Sequence, residues 1–251
     1  MISDLDDFFI DKAPSTRRAY RVALDSWANS NAPLNARGIR GWFSTLSELS
    51  ASTRNLYLSA VESYLRYCGT PVDHGIKRPN PNNLVSPTRA LSDAEVRRFM
   101  EEPVLRWRCA WSLLFYLGLR RSEVAKLARR DIFRVDGGRL AVRLTAPKDG
   151  KYRELLIPMK IQPIVEAYIH DRTGSLFRVG PQRLSSKFRE RAVSLGLGNL
   201  GPHCARATFV TRCLVAGWSY AEVQRVTGHS NQEMVARYDR RRFVTRAVDY
   251  D

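Results

Sequence analysis

The stretch IFRVDGGRLAVRLTAPKDGKYRELLIP, residues 132–158, is the one place in the chain where the apolar pattern has period two. Leu140, Val142 and Leu144 alternate with other side chains, the pattern of a half-buried strand. Asp136-Gly137-Gly138 before them supplies residues that accept positive φ, as a tight turn between antiparallel strands requires. The first strand is then Ile132 to Val135. A loop of six residues, Ala146 to Lys151, leads to a third strand from Tyr152 to Ile157, which Pro158 ends. A small three-stranded antiparallel sheet is expected.

Outward from this hairpin the period becomes helical. Upstream, Ser92 and Glu95 have the spacing of a capping box, and a further helix runs to about Gly118. Downstream, Ser219 with Glu222 and Ser230 with Glu233 repeat that spacing, and Gly217 and Gly228 stand where C-caps are expected. Residues 1–69 spell four short helices. One stripe holds Tyr20, Leu24, Trp27 and Ala28, the next Ile39, Trp42, Phe43 and Leu46, and the last Tyr57, Val61, Tyr64, Leu65 and Cys68. Residues 70–90 carry four of the twelve prolines, which disfavour helix, and predict an extended linker with His74 in solvent. The fold class is mainly α: a four-helix bundle over 1–69, a linker over 70–90, and a mixed α+β domain over 91–251.

The chain has 251 residues, of which 44% are hydrophobic, enough for real cores. No run approaches the about 20 apolar residues of a membrane span, and the acidic start is not a secretory signal, so a cytoplasmic, nucleoid-associated protein is expected. The four cysteines lack Cys-x-x-Cys spacing and read as small buried hydrophobes in a reducing compartment. Charge is the first functional clue. The net charge is +16, with ten bases against eight acids in 1–85 and 31 against 17 in 86–251. Of the 41 bases 34 are arginine, whose fork matches phosphate oxygens. Nucleic acid is the expected partner, with Lys77, Arg78 and Arg89 placing the linker along DNA.

The chain has no Gly-rich phosphate loop and no carboxylate cluster with metal spacing, so no cofactor and no metal are expected. Phosphoryl transfer without them needs cations around the phosphate, a nucleophile and a proton donor for the leaving oxygen. The second domain offers such groups in order. Arg120 and Glu123 share a helical face, Lys148 sits in the hairpin loop, and His203 and Arg206 share another face. Thr227-Gly228-His229-Ser230 follows, and Tyr238 lies nine residues after His229 on the helix that Ser230 should cap. Each element alone is common; the ordered set is specific.

That set, over roughly residues 90–245, resembles the tyrosine recombinases, the phage-integrase and Xer-like site-specific DNA recombinases. The bundle before it looks like their core-binding domain, of SAM-like fold. The resemblance implies that Tyr238 attacks a DNA phosphorus, leaving a 3′-phosphotyrosyl link and a free 5′-hydroxyl. It makes His203 the base and Arg120 and Arg206 the clamp on the non-bridging oxygens. Lys148 becomes the acid for the 5′-oxygen, His229 a donor to the phosphate, and Glu123 a residue that holds an arginine or histidine in place. A homotetramer on core recombination sites would exchange strands through a Holliday junction, from a protein monomeric in free solution, with room for an accessory directionality factor. Ala207 replaces a second histidine usual in the family, which should loosen the surroundings of Arg206 and Glu123, and Thr227 stands where leucine is usual. The family's arm-binding domain has no counterpart here, so either recognition of core sites alone or a regulation unlike that of the two-site integrases is expected.

Alternatives stay open. Lys151 rivals Lys148, and Tyr250 rivals Tyr238. Arg121 and Arg240, Arg241 and Arg242 read as generic phosphate contacts or solvated faces. A type IB topoisomerase shares the fold and nucleophile but relaxes DNA as a monomer, and a catalytically silent DNA-binding protein would keep the charge without the reaction.

Overall fold

The computed structural model describes residues 5–80, 88–145 and 152–239. It divides into two units, Met1–Asn82 and Asn83–Asp251.

The first unit is a helical bundle of α1 (Leu5–Phe9), α2 (Pro14–Asn29), α3 (Ala36–Thr45) and α4 (Ala51–Tyr67). Its core is Phe8, Phe9, Leu24, Trp27, Ile39, Trp42, Leu58, Val61 and Leu65. On α2 the buried alanine is Ala23, whereas Ala28 of the expected stripe is exposed. Cys68 is exposed just past the end of α4, unlike the three buried cysteines. Asn35 and Ser50 cap α3 and α4 by accepting the N–H of Gly38 and Thr53.

Residues 71–80 form neither helix nor strand, but they are not a free linker. Val72 and Ile76 pack on the bundle core. Asn55 Nδ2 donates to Pro79 O at 2.8 Å and Arg40 to His74 O at 3.0 Å. His74 is buried rather than solvated: its Nε2 lies 3.1 Å from Glu62, and its Nδ1 accepts the Ile76 N–H. Arg78 is bound to the same Glu62, to Ser59 and to the Asn55 carbonyl. A chain outside helix and sheet leaves its backbone polar groups without ladder partners, and Arg40 of α3 and Asn55 of α4 take two of these carbonyls here. Arg78 is thus committed to a carboxylate, as Arg89 is to Glu95 in the second unit, while Lys77 is exposed.

The second unit opens with α5 (Asp93–Met100), whose Ser92–Glu95 capping box forms. The central element is α6 (Leu105–Leu117), buried along most of its length and packed against α5 and against the helices Gln162–Ile169 and His203–Val215. Phe99, Trp111, Phe115 and Phe188 interlock at centroid distances of 4.5 to 5.9 Å. Truncating any one of them to alanine should cost about 3–5 kcal/mol. Gly118 ends α6 at φ 61°, and a Cβ there would come within 2.4 Å of the Phe209 ring, so both backbone and packing demand glycine.

The chain then makes α7 (Arg121–Lys126) and the sheet β1 (Ile132–Arg134), β2 (Leu140–Thr145) and β3 (Tyr152–Leu156), antiparallel in that order. Val142 pairs with Ile132 on one side and Leu155 on the other, burying the apolar face expected from the alternation. Helices α8 (Gln162–Ile169), α9 (Pro181–Ser194), α10 (His203–Val215), α11 (Tyr220–Thr227) and α12 (Gln232–Ala236) complete it. Ser219 and Glu222 form their capping box, but Ser230 does not cap α12. Asn231 does, accepting the Met234 N–H at 3.0 Å, because its side-chain oxygen is the one in reach of the third helical amide. Tyr238 therefore falls just beyond α12, its N–H bonded to Val235 O at 2.9 Å.

Candidate active site

The site forms around the C-terminal end of α11. The last carbonyls of a helix lack intrahelical partners and carry the negative end of its dipole. Three guanidinium groups take them. Arg153 Nε donates to Val226 O at 3.0 Å, Arg206 Nη2 to Thr227 O at 2.8 Å, and Arg120 to Thr227 O at 3.3 Å and to Gly228 O. Arg206, 2% exposed, uses its other Nη to reach Gly118 O at 2.8 Å, tying the ends of α6 and α11 together. Gly228 is αL at φ 66°, and a Cβ there would press to 2.9 Å from Arg153, so glycine lets the arginines close in.

Glu123 braces this cluster from α7. It accepts the Arg120 N–H at 2.7 Å, Arg120 Nη1 at 3.0 Å and Arg153 Nη2 at 2.9 Å. Burial alone would raise its carboxyl, but the charge of Arg153, the Arg120 amide and the Arg120 charge hold it below the ordinary value. Three arginines against one carboxylate leave an excess of positive charge, suited to a phosphate.

His203 begins α10, and His229 lies 6% exposed after α11. Thr227 Oγ1 is 2.6 Å from His229 Nδ1, and the His229 carbonyl accepts from Gln224. The Tyr238 ring stands 5.9 Å from the His229 ring, tilted by 44°, and packs on Val210, Cys213, Leu214, Val223 and Val235. Tyr238 is also close enough to act electrostatically on Arg206.

Six residues singled out in the sequence thus meet here: Arg120, Glu123, His203, Arg206, His229 and Tyr238. Arg121, beside them on α7, is tied to Ser185 at 3.0 Å. Lys148, Lys151, Arg240, Arg241, Arg242 and Tyr250 lie outside the described residues. Ala207 is buried, and the expected loosening around it is not seen, since Arg206 and Glu123 each keep at least two partners.

Arg153 is the residue that sequence reasoning passed over. A signal existed: in the alternation of β3 it shares the inward side with Leu155, and an arginine directed inward needs a buried partner.

The chain matches the Phage integrase family over residues 89–244, a span that contains the whole cluster. It belongs to that family. Among relatives of similar sequence, tyrosine recombinase XerA of Thermococcus onnurineus is 28% identical over 240 residues, covering 88% of this chain and 82% of its own. Tyrosine recombinase XerC of Rhodospirillum centenum is 28% identical over 238 residues, covering 84% and 69%. Among solved structures, a lambda integrase dimer bound to a COC′ core site superposes with a TM-score of 0.71 at 17% identity, covering 98% of this chain and 79% of that one. XerH bound to palindromic difH substrate gives 0.71 at 17%, covering 88% and 75%. At these identities the structural likeness is one of fold.

Both histidines of this integrase-family site titrate low. Desolvation first, then the charges of Arg206, Arg121 and Arg120, lowers His203. Burial, then Arg206, Arg120, His203 and Arg153, pushes His229 down to about 3. Arg206 is drawn down to about 10 by burial and by Arg120, and stays charged at neutral pH.

The sign of the consequence is fixed by proton counting. Below about pH 6.5 the unfolded chain binds protons that these folded histidines refuse, so stability is full above that pH and falls as pH drops. From pH 7 to pH 5 His229 alone should remove about 2 kcal/mol. Glu123, held low, contributes its loss only in more acidic solution. Denaturant titrations of the full chain at the two pH values should show the difference, and His229→Gln should shrink it. An undiminished difference in that variant would trace the acid sensitivity to other groups.

Proposed function

We propose that the chain is a site-specific DNA recombinase of the integrase type, cutting and rejoining DNA through a 3′-phosphotyrosyl intermediate. The observation that carries this reading is the attachment of Arg120 and Arg206 to a single carbonyl, Thr227 O, beside the Tyr238 ring and both histidines. Two guanidiniums so anchored present their remaining N–H groups as a preorganised clamp for the charge that builds on a pentacoordinate phosphate. Tyr238 attacks phosphorus, the 5′-oxygen leaves, and the bond energy is kept in the tyrosyl ester. A phenol with a pKa of about 10 needs a base, and His203, held low, is neutral and able to accept at physiological pH. Lys148 is the proposed acid for the leaving oxygen.

The partner proposed is duplex DNA carrying core sites, bound by four protomers during strand exchange. Support comes from the net charge of +16 and from the fold shared with recombinases solved on DNA, among them a lambda integrase tetramer on a Holliday junction. No helix among the described residues is long and apolar enough to cross a membrane.

The test is covalent capture on nicked duplexes bearing a sequence selected for binding by the chain. A protein–DNA adduct that forms in excess EDTA is expected, because arginines supply the charge stabilisation. Exchange between two such sites, without efficient relaxation of a plasmid lacking them, separates recombination from a topoisomerase reaction. DNA binding without any adduct would reduce the protein to a DNA-binding module.

A further inference from the structure

Thr227 does more than lend its carbonyl to the arginines. Its side chain is wholly buried, with Oγ1 at 2.6 Å from Val223 O and at 2.6 Å from His229 Nδ1. A hydroxyl brings one proton and a carbonyl brings none. The Thr227 proton must therefore lie on the line to Val223 O. The second contact then needs a proton from the imidazole. With Nδ1 bare, two lone pairs would face each other at a buried contact, and turning the hydroxyl toward Nδ1 would leave the same fault at Val223 O. Protonation at Nδ1 is the arrangement that satisfies both contacts.

We propose that the Thr227 hydroxyl holds His229 in the Nδ1–H tautomer, so that His229 donates to a scissile phosphate only after Nε2 takes up a second proton. The neutral ring leaves Nε2 as a bare lone pair, since the partner of one ring nitrogen decides the state of the other. The groups around it are Arg120 and Glu123 at the start of α7, Arg153 on β3, His203 and Arg206 on α10, and Tyr238 beyond α12. Burial first, and then their net positive charge, keeps the ring neutral in the free protein. A phosphate entering among them reverses that field and stabilises the imidazolium, with the proton drawn from solvent. Engagement of the phosphate by His229 is thereby coupled to the uptake of one proton. Leucine, usual at position 227 in the resemblance drawn from the sequence, has no side-chain oxygen to accept from Nδ1. The phosphate step rests on the recombinase reading; the tautomer does not.

Nitrogen-15 spectra of the full chain labelled at its four histidines read the tautomer directly, with His229 assigned by its loss in His229→Gln. The expected result is a protonated Nδ1 and a bare Nε2 at neutral pH in the wild type and in Thr227→Ser. In Thr227→Val the proton should move to Nε2. Replacing chloride by sulfate at matched ionic strength, as a probe anion, should shift His229 of the wild type toward the doubly protonated form. A wild-type His229 protonated at Nε2, or an unchanged tautomer in Thr227→Val, overturns the assignment. Sulfate that leaves the ring neutral down to its free titration range overturns the coupling. Where adducts form, the rate ratio of Thr227→Val to wild type should grow with pH by up to about tenfold per unit, the slope of one proton, while Thr227→Ser follows the wild type. The correct tautomer in a chain that never forms an adduct would sink the recombinase reading and leave the assignment of Thr227 standing.

Discussion

Tyr238→Phe is expected to abolish covalent capture of DNA while leaving the protein folded and bound to its duplex. The change removes one oxygen. The ring keeps its packing on Val210, Leu214, Val223 and Val235, so the fold should lose little. Affinity should be equally untouched, because it comes from cationic contacts to phosphate, which the hydroxyl does not make. Chemistry, by contrast, has no substitute for the nucleophile. Denaturing gels of nicked-duplex reactions should show no adduct in the variant, with gel shifts matching the wild type. An adduct that persists would transfer the nucleophile to another tyrosine, with Tyr250 the first to examine.

Arg206→Lys should have the next largest effect, although it keeps the charge. The guanidinium fork spans Gly118 O and Thr227 O at 2.8 Å each, and the compact ammonium of lysine cannot hold both. One buried carbonyl loses its partner, at a cost of about 1–3 kcal/mol. The Thr227 carbonyl also orients Arg120, so both arms of the phosphate clamp shift. Single-turnover adduct formation should fall by about 10²–10³, the loss typical for removing one preorganised donor to a transition-state oxyanion. DNA binding should change far less, since the clamp is tuned to the transition state. A rate within tenfold of the wild type would place Arg206 outside the clamp and leave it a purely structural brace.

How much of this was legible from residues alone depended on how local each cause is. The sheet was legible because alternation over Leu140, Val142 and Leu144, with glycines at 137 and 138, is a property of neighbouring positions. The bundle stripes and the Ser92 and Ser219 capping boxes were legible for the same reason. The ordered arginines, histidines and tyrosine could be named because their chemistry is written in side-chain type and separation. Local signals also misled. Ser230 and Asn231 are both able to cap a helix, and only the path of the chain selects Asn231. Prolines at 71 and 79 disfavour helix, and residues 71–80 form none, but the absence of helix does not say what lies alongside. The attachment of 71–80 to Asn55 and Glu62 depends on residues up to 24 positions apart.

The sequence by itself determined the fold class, the two-part organisation of charge and the inventory of reactive groups, since periodicity, composition and residue type are sums over the chain. The tertiary structure alone decided what those groups do to one another. It brought Arg120, Arg153 and Arg206, separated by up to 86 positions, onto the last carbonyls of one helix. It made Arg153 a member of the site and gave Thr227 its part in the state of His229. The physical reason is that hydrogen bonds and desolvation act over a few ångström in space, and burial is a property of position in the folded chain.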